Sequence, residues 1–172
     1  NSSSTIVADY EREETLLLNC LKEHTNKTLV YFSTCSIYDP SLQQSNYVMH
    51  KLKMEQLIQS RAFSYIIFRV SNPVGFTNNK HTVLNFFIQH ITSGEPFTVW
   101  QYASRNLIDM DDVLKLCSLI IENGENRNNI VNIAHPVNYP VISIIESIEN
   151  HFAKKGNYNI AEKGNSPLID TT

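Results

Sequence analysis

The sequence predicts an α/β fold, a parallel sheet with helices on both faces. Three observations predict it. TLVYFS (28–33) and SYIIFRV (64–70) are continuous apolar, β-rich runs, as strands buried on both faces require. Stretches of helical length and pattern separate such runs, so strand and helix alternate. The chain has 172 residues, 42% hydrophobic and 18% charged, which suffices for a substantial core.

Residues 9–25 (DYEREETLLLNCLKEHT) begin acidic and turn leucine-rich, the pattern of a helix lying on a sheet. TLVYFS is the first strand. The spacing predicts a helix over 46–61, with Asn46 or Ser45 as N-cap. SYIIFRV is the second strand, and SNPVGFTNN (71–79) is a loop by its turn residues. A helix over about 81–93 stops at Gly94 and Pro96. PFTVW (96–100) and NLIDM (106–110) are short strands, followed by a helix over about 110–123 that stops at Gly124. NIVNIA (129–134) is another strand, 141–155 a last helix, and the tail to Thr172 is polar and without clear pattern. Two portions result: 1–75 in the main-sheet domain and 76–172 as a smaller portion, with 129–134 returning to the main sheet. The active face of such a sheet is the carboxyl end of its strands. Ser33-Thr34 and Val70-Ser71-Asn72 both stand there, so they are expected to face one crevice.

The net charge of −3 and pI near 6.1 leave no basic footprint for nucleic acid or an anionic membrane. No apolar run approaches the roughly 18 residues of a membrane span, and no signal-peptide pattern opens the chain. Cys20, Cys35 and Cys117 are far apart, odd in number and without zinc spacing. They point to no metal and to a reducing, cytoplasmic setting. Only five glycines occur, and no GxGxxG follows any strand. The turn that cradles dinucleotide phosphates is therefore not encoded here, and these residues alone are expected to bind a dinucleotide weakly.

Tyr47 and Lys51 are four apart on the 46–61 helix and share a face. Free tyrosine has a pKa of about 10, too high for a base at neutral pH. A fixed ammonium beside the phenol favours the phenolate, which makes a general acid/base suited to a sugar or secondary alcohol. A hydroxyl of Ser33 or Thr34 on the preceding strand could hold the same oxygen. A Tyr-x-x-x-Lys spacing alone is common, and a helical tyrosine is as readily a packing residue; the strand-end hydroxyls favour chemistry. Tyr38 reads as packing, Cys35 as a small buried residue with no adjacent histidine, and Asp112 as an acid that caps or positions the 110–123 helix.

Four blocks, FSTCSIY (32–38), YVMHK (47–51), FRVSNPVGF (68–76) and RNLIDMDDV (105–113), stand in the order used by extended short-chain dehydrogenases/reductases. The chain resembles the C-terminal part of that nucleotide-sugar epimerase and dehydratase family, and NIVNIA resembles its late strand. The resemblance implies a Rossmann-like parallel sheet with a smaller α/β substrate-binding portion, and a glycine-rich turn upstream of Asn1. It implies Tyr47 as general acid/base, with Lys51 orienting the nicotinamide ribose and lowering the tyrosine pKa. Thr34 would be the catalytic hydroxyl that also meets substrate. Ser33, Ser71, Pro73 and Val74 would join Tyr47 and Lys51 along the cofactor, NAD or NADP. Asn72 would meet the substrate phosphate or sugar, and Arg105 would grip a nucleotide diphosphate with its planar fork. Read without the resemblance, Asn72-Pro73 is also a turn signal, and Arg105 could pair with an acid such as Asp109.

The chain departs from the family in places. Where the 4,6-dehydratases carry Asp-Glu after the threonine, Cys35-Ser36 stand here, which disfavours water elimination. The Tyr38–Tyr47 loop is short, Asp39 replaces a glycine, and the family's Arg-Asp pair reads Arg105-Asn106. The expected function is an NAD(P)-dependent epimerase or reductase of a nucleotide-activated sugar. The alternatives are a reductase of a non-nucleotide alcohol or ketone, and a non-catalytic nucleotide-sensing scaffold. A homodimer through the 9–25 and 46–61 helices is also expected from the resemblance.

Overall fold

The computed structural model describes residues 7–75, 79 and 82–171. Its elements run α1 (Val7–Glu23), β1 (Thr28–Thr34), α2 (Asn46–Arg61), β2 (Ser64–Val70), β3 (Asn72–Val74), α3 (Val83–Ser93), β4 (Phe97–Trp100), β5 (Ser104–Arg105), β6 (Leu107–Asp109), α4 (Met110–Asn123), β7 (Asn129–Ile133), β8 (Tyr139–Pro140), α5 (Val141–Phe152) and β9 (Tyr158–Ala161). A 3-10 turn over Cys35–Tyr38 follows β1.

The main sheet is parallel, in the order β1-β2-β7. Side chains alternate across it, so neighbours in sequence enter different layers. Ile66, Phe68 and Ile133 pack with Ile108 and with Val113 and Cys117 of α4. Ile67 packs on the other face with Leu17 of α1 and Met54 and Ile58 of α2. Ile67 and Phe68 are both fully buried because both faces are covered, which is why the run is continuously apolar. The return to this sheet after residue 75 includes α4 as well as β7.

A second core joins Phe87 and Ile91 of α3, Phe97 and Val99 of β4, and Ile144, Ile145 and Ile148 of α5. The parallel pair β4–β9 closes it. Residues 72–74, expected in a loop, form β3, paired parallel with β6 in a two-stranded sheet. A sheet edge tolerates Pro73, which has no N–H to donate.

The helix ends follow local chemistry. Ser45 caps α2 by accepting from Val48 N at 3.3 Å, and Thr82 caps α3 by accepting from Asn85 N. For α4 the cap is Asp109, which accepts from Asp111 N at 2.8 Å; Asp112 lies inside the first turn. The last helix ends at Phe152 rather than 155. There the Glu149 carboxylate turns back to accept from Gly156 N and Lys155 Nζ, and Ala153 takes a left-handed conformation. No helix among the described residues is long and apolar enough to cross a membrane.

Candidate active site

The carboxyl ends of β1 and β2 open into a cavity of about 280 Å³. Ser33, Thr34, Tyr47, Ser71, Asn72, Pro73 and Val74 all reach its wall. Each arrives there for a local reason. Thr34 ends β1 and accepts from Ser36 N at 3.0 Å, which starts the 3-10 turn and keeps its hydroxyl at the strand end. Tyr47 lies in the first turn of α2, beside the Ser45 cap and the positive end of the helix dipole. The thiol of Cys35 is bonded to the Arg69 carbonyl at 3.0 Å, and burial pushes its pKa up to about 12, so it is not a nucleophile.

Lys51 does not share that cavity wall. It is 9% exposed, and its ammonium donates to Glu13 Oε1 (2.8 Å), Tyr31 Oη (3.0 Å) and the Phe32 carbonyl (3.2 Å). The expected lowering of the Tyr47 pKa is likewise not found. Burial raises it, the Thr34 hydroxyl opposes that rise by hydrogen bonding to the phenol, and the charges of Glu13 and Tyr10 raise it further. Lys51 itself faces a carboxylate on α1, Glu13, at 2.8 Å.

A polar row crosses the sheet just inside the cavity. Ser33, Arg69 and Asn132 are register partners on β1, β2 and β7. Ser33 Oγ donates to Glu55 Oε1 at 2.5 Å, and Arg69 holds the same buried carboxylate through Nε (3.0 Å) and Nη2 (2.6 Å). Tyr38, expected only to pack, accepts from Arg69 Nη1 and donates to Asn132 Oδ1, each at 3.0 Å. One buried side-chain oxygen stands without a hydrogen-bond partner among the described residues, Ser71 Oγ.

A smaller cavity of about 60 Å³ adjoins, reached by Asn72, Ser71 and Ser36 from the first and by Asp39, Arg105 and Asn106. Asn72 Nδ2 is bonded to the Asn106 carbonyl at 2.8 Å. Arg105 Nη1 donates to the Ser104 carbonyl at 2.7 Å, and Arg105 makes no ion pair among the described residues, with Asp109 or otherwise. Asp39 accepts from Ser41 and from Asn165 Nδ2 (2.8 Å). Burial would raise its carboxyl, but those bonds and the Arg105 charge hold it below the usual range. Arg105 also reaches a third cavity, about 180 Å³, walled by Phe86, Phe87 and Trp100.

The chain's last stretch walls this side. Ser104 N donates to the Asn165 carbonyl, Ser104 Oγ to Ser166 Oγ, Asn138 Nδ2 to the Pro167 carbonyl and Asn132 Nδ2 to the Asp170 carbonyl. Gly164 permits the approach: a Cβ there would stand 2.6 Å from Ala103 N.

A model of the NAD dependent epimerase/dehydratase family matches residues 4–134. The chain belongs to that family. No curated protein matches it. Among solved structures, MoeE5 in complex with UDP-glucuronic acid and NAD is 16% identical with a TM-score of 0.76, over 91% of this chain and 59% of that one. UDP-N-acetylglucosamine 4-epimerase from Bacillus cereus is 22% identical with a TM-score of 0.75, over 99% and 65%. dTDP-glucose 4,6-dehydratase from Bacillus anthracis, in complex with NAD, is 16% identical with a TM-score of 0.74, over 92% and 57%. At such identities the likeness is one of fold, and the chain spans less than two thirds of each neighbour's length.

Within this epimerase/dehydratase fold, four features lay outside the sequence reading. Glu13 has a weak signal in the acidic start of its helix. Arg69 has a signal too, a charge inside a strand read as buried on both faces, whereas Glu55 has none, since it looks like any charged residue of a helix. Trp100, 37% exposed and with the Lys163 ammonium 5.1 Å from its ring centre, could have been suspected as the chain's single tryptophan.

Proposed function

We propose that the chain carries the acid/base centre of an NAD(P)-dependent epimerase or reductase acting on a nucleotide-activated sugar. The observation that carries this reading is the placement of Thr34 and Tyr47 on the wall of one cavity, at the carboxyl ends of parallel strands. Tyr47 takes the proton of a sugar hydroxyl and Thr34 holds the same oxygen as it becomes a ketone. A nicotinamide supplies acceptance of the hydride from that carbon and, in an epimerase, its return to the other face.

The residues present fit the nicotinamide end of such a cofactor. The unpartnered Ser71 Oγ suits a carboxamide, and Pro73 and Val74 give a ring an apolar surface. Solved neighbours bound to NAD support the same cofactor. Cys35-Ser36, in place of two acids, argues against dehydration.

The nucleotide half of the substrate fits the Trp100–Arg105 cavity. An exposed indole stacks a base, and a guanidinium without a carboxylate partner suits a diphosphate. MoeE5 has been solved with UDP-glucose and with UDP-glucuronic acid, which supports a nucleotide sugar. One observation favours a non-nucleotide ketone instead: Asp39 brings an anion to the cavity it shares with Arg105.

Kinetics and ligand titration on the full-length enzyme separate these readings. Arg105→Ala removes a charge-assisted contact of about 1.5–3 kcal/mol, so nucleotide-sugar affinity falls roughly 10- to 150-fold. Tyr47→Phe keeps binding and loses turnover, because the ring packs as before without an acidic proton. Unchanged affinity in Arg105→Ala with an inactive Tyr47→Phe replaces the nucleotide sugar by the non-nucleotide substrate. An active Tyr47→Phe removes the acid/base assignment.

A further inference from the structure

Glu13 does more than anchor α1. Its Oε1 accepts from Lys51 Nζ at 2.8 Å and from Tyr31 Oη at 2.7 Å, and its Oε2 lies 3.0 Å from His50 Nε2. Lys51 has two other partners, Tyr31 Oη and the Phe32 carbonyl. An ammonium has three protons, so every donor of Lys51 is engaged within the protein. Beyond Glu13, Tyr10 lies against His50 with ring centres 4.6 Å apart.

Tyr47 stands one helical turn before Lys51. The titratable groups whose charge reaches it are Glu13 and Tyr10 from α1 and Tyr31 from β1, and Lys51 is the cation one turn along its own helix. Among them the ammonium is the group that would favour a phenolate, and it is bonded directly to a carboxylate. A cation in contact with an anion presents little net charge to a third group nearby.

We propose that Glu13 is a positioning residue, the counter-charge that withholds the Lys51 ammonium from Tyr47 and from any ribose hydroxyl entering the cavity. A ribose that reaches Lys51 has to take over one of its three bonds. Exchange of the Glu13 bond is the change that also exposes Tyr47 to an uncompensated cation, so ligand arrival and activation of the phenol become one event. This consequence for catalysis rests on the acid/base reading of Tyr47; the clasp itself does not.

The test needs no turnover. Tyrosine labelled with carbon-13 at Cζ is incorporated into the chain, and Tyr47→Phe assigns the Tyr47 signal. In the native chain that signal titrates above the ordinary tyrosine range, because the phenol is buried. In Glu13→Gln its titration falls by about one pH unit or more, as Lys51 then faces the phenol without a counter-charge. The double variant Glu13→Gln/Lys51→Met removes the pair together and restores the native titration to within a few tenths. An unmoved titration in Glu13→Gln overturns the proposal. So does a double variant that titrates about a unit above native, which would mean that Lys51 acts on Tyr47 uncompensated. The double variant decides the matter if Glu13→Gln alone unfolds. Nitrogen-15 spectra of the native lysines give a check without substitution: a Lys51 ammonium exchanging as fast as exposed lysines sinks the clasp. A failure here leaves the proposed activity standing, and a chain without activity leaves the clasp standing.

Discussion

Asn106 is 5% exposed and uses both ends of its amide: Nδ2 donates to the His135 carbonyl (2.7 Å) and to Asn138 Oδ1 (2.9 Å), and Oδ1 accepts from His135 N (2.9 Å). A carboxylate has no proton for the first two partners. The departure from Arg-Asp at this position is therefore built into the surrounding bonds. Asn106→Asp, nearly identical in shape, should cost at least about 1–3 kcal/mol in urea unfolding, since it leaves two acceptors facing an anion in a buried site. Equal stability would show that the knot relaxes. The placement of Thr34, Tyr47 and Asn72 around one cavity was legible because strand ends and a helix's first turn are positions that apolar runs and caps locate. The engagement of Lys51 was not, because Glu13 is 38 residues away and reaches it only through tertiary packing of α1 on α2. The pairing of Ser33 with Glu55 and Arg69 was hidden for the same reason, as strand register is not written in any single segment.

The contact between α1 and α2 is where acid should act first. Burial alone would raise the Glu13 carboxyl, but bonds from Lys51, Tyr31 and His50 outweigh it and bring it down to about 2, from an ordinary value of 4.5. A depressed folded value means that the group contributes stability above the unfolded value and loses it as pH falls toward the folded one. Unfolding midpoints in urea should therefore decline from about pH 5 down to about pH 2, and Glu13→Gln should flatten that decline. A decline of the same slope in the variant would assign acid sensitivity to other carboxylates, of which Asp39 has the same sign. At this scale α2, β1, β2 and α4 were readable from pattern and caps. The strands β3, β5, β8 and β9 were not. They have two to four residues each, too few for a period, and exist because a partner strand is in reach.

The molecule's polar cavities described above open at the carboxyl ends of its strands, and its sequence has no glycine-rich turn to cradle dinucleotide phosphates. Calorimetry on these 172 residues should accordingly find NAD binding no tighter than roughly the 100 μM range, about −5.5 kcal/mol. Submicromolar binding would mean that the phosphates are held by another device. The α/β architecture was legible from alternation alone, whereas the wall that the last residues lay across Asp39, Ser104 and Asn138 was not, because a polar tail carries no pattern until it has a surface to bond. That wall also fixes a chronology. The tie between Asp39 and Asn165 spans 126 residues. At roughly 5–20 residues per second, a ribosome releases its second half about 6–25 seconds after its first. By then β1, α2 and β2 have long been available to one another. The Arg105 cavity thus gains its Asn165 tie only after the strands beneath it have been made, and a ligand that uses that finished cavity arrives too late to template the sheet.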